Sequence, residues 1–124
     1  MSAQGIASSV PRSELSAAML ERIERLTFGY FDRGMNPSNG LVPDSTKQDA
    51  LASVAGSGHA LACYAVAAER GYVTREHAVT RALVILRFFW DSDQSEARDA
   101  TGYRGFYYHF LDMETGHRAP RSEL

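Results

Sequence analysis

Between residues 49 and 70 more than half of the residues are small, and this stretch limits the possible fold more than any other. Ala50, Ala52, Ser53, Ala55, Gly56, Ser57, Gly58, Ala60, Ala62, Ala65, Ala67 and Ala68 spread over nearly every face of a helix. Gly56 and Gly58 each cost a helix about 1 kcal/mol relative to alanine. Small side chains offset that cost when they let another helix or backbone approach closely. A helix that is small or apolar all round is a buried one. The pattern therefore predicts an inner helix of a layered helical fold. Its mid-helix His59 reads as a core or edge histidine rather than a ligand, and Cys63 as a small buried hydrophobe.

The flanking segments supply what such a helix packs against. Gly71 stops it and Thr74 caps the next helix, giving a short αα-hairpin. The following helix, from Arg75 to about Trp90, is amphipathic: Ala78, Val79, Ala82, Ile85, Leu86, Phe89 and Trp90 are expected to face inward. Upstream, a helix starting near Ser13 as cap carries Leu15, Met19, Ile23, Leu26, Tyr30 and Phe31 on one face. Glu21, Arg22, Glu24, Arg25 and Arg33 fall elsewhere and are expected to be solvated. Gly34 is its expected left-handed stop. Residues 1–12 show no periodicity and read as a disordered lead-in. The αα unit does not recur at a fixed period, which argues against a tetratricopeptide-like array.

The segment from Gly102 onward differs from this scaffold. Aromatic residues crowd Phe106 to Leu111, Glu114-Thr115-Gly116 forms a turn signal, and His117-Arg118 returns. This predicts a short β-hairpin with Tyr107, His109 and Leu111 on one face and Phe106, Tyr108, Phe110 and Asp112 on the other. Aromatic plates beside hydrogen-bonding groups suit a carbohydrate site, and they equally suit a hairpin lying on a core.

Composition removes other function classes. The chain has 124 residues and a net charge of -2, so it is one domain at most and has no electrostatic footprint for nucleic acid. One cysteine allows no internal disulfide and no cysteine-based metal spacing. No apolar run approaches the roughly 20 residues needed to cross a bilayer. With no basic leader before an apolar run, the default compartment is the cytoplasm, with the periplasm as the alternative for an intact protein. No cofactor and no metal are expected.

Several short motifs occur together. They are Leu26-Thr27-Phe28-Gly29-Tyr30-Phe31, Gly40-Leu41-Val42-Pro43-Asp44 and Ala52-Ser53-Val54-Ala55-Gly56-Ser57-Gly58. Glu69-Arg70-Gly71-Tyr72-Val73-Thr74-Arg75-Glu76, Gly105-Phe106-Tyr107-Tyr108-His109-Phe110-Leu111-Asp112, Thr115-Gly116 and Ser122-Glu123-Leu124 follow. In this order and spacing the chain, over roughly residues 14–124, resembles the N-terminal part of the bacterial glucoamylase-like (glycoamylase) domain family. The resemblance implies an (α/α)6-toroid glycoside hydrolase whose relatives act on β-1,2-glucans. The expected fold class is all-α: a partial toroid of about three helices with an αα-hairpin and a short C-terminal β-hairpin. Family domains are several times longer, so residues 13–124 are expected to be a truncated portion that lacks further C-terminal hairpins of the same domain.

Glycoside hydrolysis needs two carboxyl groups, one acid and one base or nucleophile. Glu123 matches the Ser-Glu position of the family and is the candidate site carboxylate, as acid, base or sugar contact. The plainer reading makes it a helix N-terminal charge with Ser122 as cap. Tyr107, His109 and Arg118 are candidates for stacking on and recognising a glucan. Alternatively they pack the hairpin, with Arg118 paired to Asp112 or Glu114. Asp44 is a further candidate for the cleft, or a loop aspartate bonded to nearby backbone. The competing functions are a non-catalytic helical interaction module and a carbohydrate-binding piece without hydrolysis.

Overall fold

The structure, a computed structural model, describes residues 11–124. The expected lead-in lies outside the described residues up to residue 10. Its last two residues, Pro11 and Arg12, are the N-cap and first helical residue of α1 (Arg12–Gly34). Ser13 is thus inside the first turn and does not cap it. No side chain caps it: the Leu15 N–H makes the first bond of the helix to the Pro11 carbonyl, and the Glu14 N–H shares that acceptor. Gly34 does not stop the helix by turning left-handed; Met35 does so by becoming extended.

The small-residue helix is shorter than its composition suggests. Residues 49–53 are not helical: Asp49 has a φ of 60°, and Ala52–Ser53 form a strand, β1. The helix proper, α2, is Val54–Glu69, with the Ser53 hydroxyl accepting the Gly56 N–H. A short pairing to a distant segment overrides local propensity here, as tertiary context often does. Gly71 then turns with a φ of 71°, and Thr74 caps α3 (Arg75–Asp91) by accepting the His77 N–H, as its sequence position predicts.

The main core cluster packs helix against helix, and a second, of Leu41, Ala52 and Leu111, lies under the strands. Ser57, Ala60, Tyr64 and Ala67 form the buried stripe of α2. It meets Ala78 and Ile85 of α3 and Met35 just past α1, with Phe28, Tyr30 and Phe31 partly buried against them. The opposite face of α2 is exposed, including Ala55, Gly58, His59, Ala62 and Val66, so His59 is neither core nor edge. Cys63 is half-buried. On α1, Leu15, Met19, Ile23 and Leu26 are exposed as well. Of the α3 residues expected to face inward, Val79, Leu86 and Trp90 do not, Trp90 being 89% exposed.

A polar cluster ties the three helices. Oδ1 of Asp32 on α1 accepts the Tyr64 hydroxyl from α2 at 2.8 Å and lies 2.8 Å from Nε2 of His77 on α3. Arg81 stands 3.9 Å away. Burial by itself would raise the Asp32 carboxyl, but the hydrogen bonds from His77 and Tyr64 and the charge of Arg81 outweigh it and hold it below the usual range. Glu24 is not merely solvated: it accepts the Tyr72 hydroxyl at 2.8 Å and pairs with Arg70 at 3.3 Å, clamping α1 to the α2–α3 turn.

The strands are short. β2 (Gly102–Tyr103) pairs with β3 (Phe106–Tyr107), and β4 (Phe110–Leu111) pairs with β1. The run expected as one strand from 106 to 111 is therefore two strands with different partners. Gly40, with a φ of 77°, lies against α3 so closely that an added Cβ would stand 2.7 Å from the Ile85 backbone.

Two outcomes follow. Gly40→Ala is expected to lose roughly 2–4 kcal/mol, from left-handed strain plus overpacking, read as a lower midpoint in urea. The Asp32 carboxylate contributes stability that is present above its unfolded pKa of about 3.9 and is lost as pH falls through its lower folded value. Wild type should therefore lose Tm faster than Asp32→Asn as pH drops below about 4; parallel curves would remove Asp32 from the tie.

Candidate functional site

The candidate site is organised by a narrow antiparallel layer that joins distant parts of the chain. Ala52 is bridged by Pro43 on one side and by Leu111 on the other, and Leu111 is bridged in turn to Arg118. The Leu111–Arg118 bridge is the part of the expected hairpin that forms. Asp112 closes its turn: its Oδ1 accepts the Glu114 and Thr115 N–H groups at 3.0 and 2.8 Å and the Thr115 hydroxyl at 2.9 Å. The Thr115 hydrogen bonds hold the Asp112 carboxyl below the usual range. A carboxylate so occupied builds the turn and is a poor proton donor.

At one end of this layer the Val54 N–H bonds the His109 carbonyl, and this is the end that carries Glu123. The His109 N–H donates to the Glu123 carbonyl at 2.7 Å, and the Phe110 N–H donates to Oγ of Ser122 at 2.7 Å. Ser122 is buried and serves as an anchor. Nε of Arg118 donates to the Ser122 carbonyl at 2.8 Å, as does its Nη2. The Arg118 guanidinium lies 4.1 Å from the Tyr108 ring centroid. Arg118 is thus paired with neither Asp112 nor Glu114. The Glu123 backbone is held from both sides while its side chain stays exposed. The exposed His109 ring packs edge-on against Phe110 at 4.3 Å.

The other candidates are elsewhere. Tyr107 turns onto α3, its hydroxyl donating to the Phe89 carbonyl at 2.9 Å and its ring 4.8 Å from that of Phe89. Its polar atom is therefore engaged by the scaffold. Asp44 lies at the opposite end of the layer, its N–H donating to the Leu51 carbonyl at 2.8 Å. Two strand residues, Ala52 and Ser53, lie between the Leu51 contact of that end and the Val54 contact of the His109 end, so Asp44 and Glu123 are attached to opposite ends of the layer. Asp44 instead adjoins a groove of about 660 Å³ that Tyr30, Arg33, Lys47, Asp112 and Glu114 help to line. Burial, and then the charge of Asp44, raise the Tyr30 phenol, whose hydroxyl donates to the Pro43 carbonyl. His117 faces Asp99 at 3.5 Å and is exposed. Among the described residues no three His, Cys, Asp or Glu side chains are grouped to hold a metal, and no helix is long and apolar enough to cross a membrane.

Sequence reasoning missed the groove and the Asp32 cluster. Asp32 carried no signal, because its partners Tyr64 and His77 are 32 and 45 positions away. The β2–β3 turn did carry one: an Arg-Gly pair between aromatic residues fits a two-residue hairpin, and Arg104 and Gly105 have φ of 50° and 89°.

No family model matches this chain. Individual proteins do. It is 30% identical over 100 residues to an exo-β-1,2-glucooligosaccharide sophorohydrolase of Parabacteroides distasonis, a match covering 79% of this chain and 13% of that protein. Among solved structures, a candidate glucoamylase from Bacteroides uniformis superposes with a TM-score of 0.71 at 31% identity, covering 85% of this chain and 24% of that one. In sequence and in fold this chain is similar to one part of these glucoamylase-like proteins. An endo-β-1,2-glucanase from Chitinophaga pinensis, solved with sophorotriose and glucose, superposes with a TM-score of 0.66 at 26% identity, covering 81% of this chain and 24% of that one. The glucoamylase-like layering is present in the α2–α3 pair and α1. The chain spans well under a third of the length of each of these relatives.

One outcome tests the anchoring. Arg118→Lys keeps the charge but loses the planar fork. It is expected to increase hydrogen exchange at His109 and Phe110 by about tenfold and to lower Tm only slightly. Unchanged exchange there would mean that the segment holds itself without Arg118.

Proposed function

We propose that this chain is one portion of a glycoside hydrolase acting on a glucan, with β-1,2-glucan as the substrate class. The observation that carries this reading is the joint sequence and fold likeness to β-1,2-glucan-acting proteins over about four-fifths of the chain. The exposed apolar faces of α1 and α2 support it, since a helix that is small or apolar all round needs covering on both sides. Further helical hairpins of the same domain would supply that cover.

In this reading Glu123 is one of the two carboxyl groups that cleavage of a glycosidic bond requires. The pinned backbone at Ser122 and His109 supports the role, because a catalytic carboxyl must be held to a fraction of an ångström. In this reading its partner carboxyl comes from a further part of the complete protein. Arg118 positions the Glu123 segment and His109 offers an exposed ring beside it. Tyr107 supports from behind, and Asp44 contacts a more distant sugar if the glucan runs along the layer.

The test is hydrolysis of β-1,2-glucan, with an α-glucan as comparison, by the complete protein that carries this chain. Glu123→Gln is expected to lower kcat by about 100-fold or more with Tm unchanged. Activity within threefold of wild type would remove Glu123 from the chemistry. A folded complete protein inactive on both glucans would end the hydrolase reading.

A further inference from the structure

The two faces of the β2–β3 hairpin have different surroundings. Gly102 is opposite Tyr107 and Tyr103 is opposite Phe106, and directly opposed residues share a face. The Tyr107 face is turned onto Phe89. Tyr103 and Phe106 therefore stand side by side on the other face, and Phe106 is 71% exposed.

The mount is stiff. The left-handed Arg104-Gly105 pair makes a tight turn, and the Gly105 N–H donates to Oε1 of Gln94 at 2.9 Å. Polar groups rim the rings. The Tyr103 hydroxyl donates to Oε1 of Glu96 at 3.2 Å, and the Arg104 guanidinium lies 5.0 Å from the Tyr103 ring centroid. One flat exposed ring with an adjacent phenol, a guanidinium and a carboxylate is too small and too polar for a lipid surface or a standard protein interface. It suits a ligand with a flat apolar C–H face and hydroxyls at its edge, which describes a pyranose.

We infer that the outward face of this hairpin, Tyr103 and Phe106 with Arg104 and Glu96, is a sugar-binding platform for a β-linked glucan chain. The inference rests on the glucan reading above and adds a subsite to it, on the face opposite to Tyr107. Only Tyr107 and Tyr108 separate Phe106 from His109, a span of at most about 11 Å of backbone, and the His109 N–H is bonded to the Glu123 carbonyl. One oligosaccharide can therefore reach from the platform to the candidate carboxylate.

Calorimetric or NMR titration of the complete protein that carries this chain, in a Glu123→Gln background, with β-1,2-linked glucooligosaccharides tests the platform by binding, separately from hydrolysis. Phe106→Ala is expected to weaken binding by about threefold to tenfold. Phe106→Leu should do the same, because it keeps an apolar side chain and loses the flat ring. Trp90→Ala, another exposed aromatic, should bind as wild type. No binding by the complete protein with Phe106 in place, or unchanged affinity in both Phe106 variants, overturns the platform. Either result leaves the hydrolysis assay of the complete protein to judge the glucan reading by itself.

Discussion

The pairing of Ala52 with Leu111 is the contact on which the rest of the arrangement depends. It joins residues 59 positions apart through a strand of two residues. Such a pairing is too short to hold by its own hydrogen bonds. It persists because Leu41, Ala52 and Leu111 are fully buried together, with Phe88, Phe89 and Met113 packed around them. The same pairing ends the helical course of the small-residue stretch, frees Ser53 to cap α2, and brings His109 to the N-terminus of that helix. Asn36 and Asn39 reinforce it from the other side, their amides donating to the Met113 carbonyl at 2.9 and 3.0 Å.

Hydrophobic burial and electrostatics divide the work among the helices. The α2–α3 pair is packed through small residues, and α1 joins it mainly by its C-terminal half. There the apolar contacts of Phe28 and Phe31 are supplemented by Asp32, which touches both other helices. Toward its N-terminus α1 is tied to the α2–α3 turn by the Glu24 clamp and by the Arg25 guanidinium, 4.3 Å from the Tyr72 ring centroid, and its apolar side chains are exposed. This gradient accompanies the likeness to a part of a toroid domain, in which a helix has neighbours on two sides.

The candidate site shows how one aromatic-rich segment is sorted by backbone geometry. Residues 102–111 look uniform in composition, yet alternation and a two-residue turn send Tyr107 to the scaffold and Phe106 outward. Arg118, equally plausible as a sugar contact or an ion-pair partner from its neighbours, instead holds the carbonyl of Ser122. Side-chain type was readable in each case; orientation was not, because it follows from which strand each residue joins.

Local chemistry was enough to establish the helical elements, the Gly71–Thr74 connection, the small-residue helix against an amphipathic one, and the turn around Thr115. Those features depend on caps, periodicity and glycine conformations that neighbours in sequence decide. The ordered motifs also pointed to the glucoamylase-like relatives. Tertiary structure alone decided that residues 49–53 leave the helix, that Asp32 is the meeting point of three helices, that Trp90 faces solvent, and that Asp44 and Glu123 lie at opposite ends of one layer. Each of these depends on a partner tens of residues away, whose contribution is free energy of packing and pairing that no local pattern records.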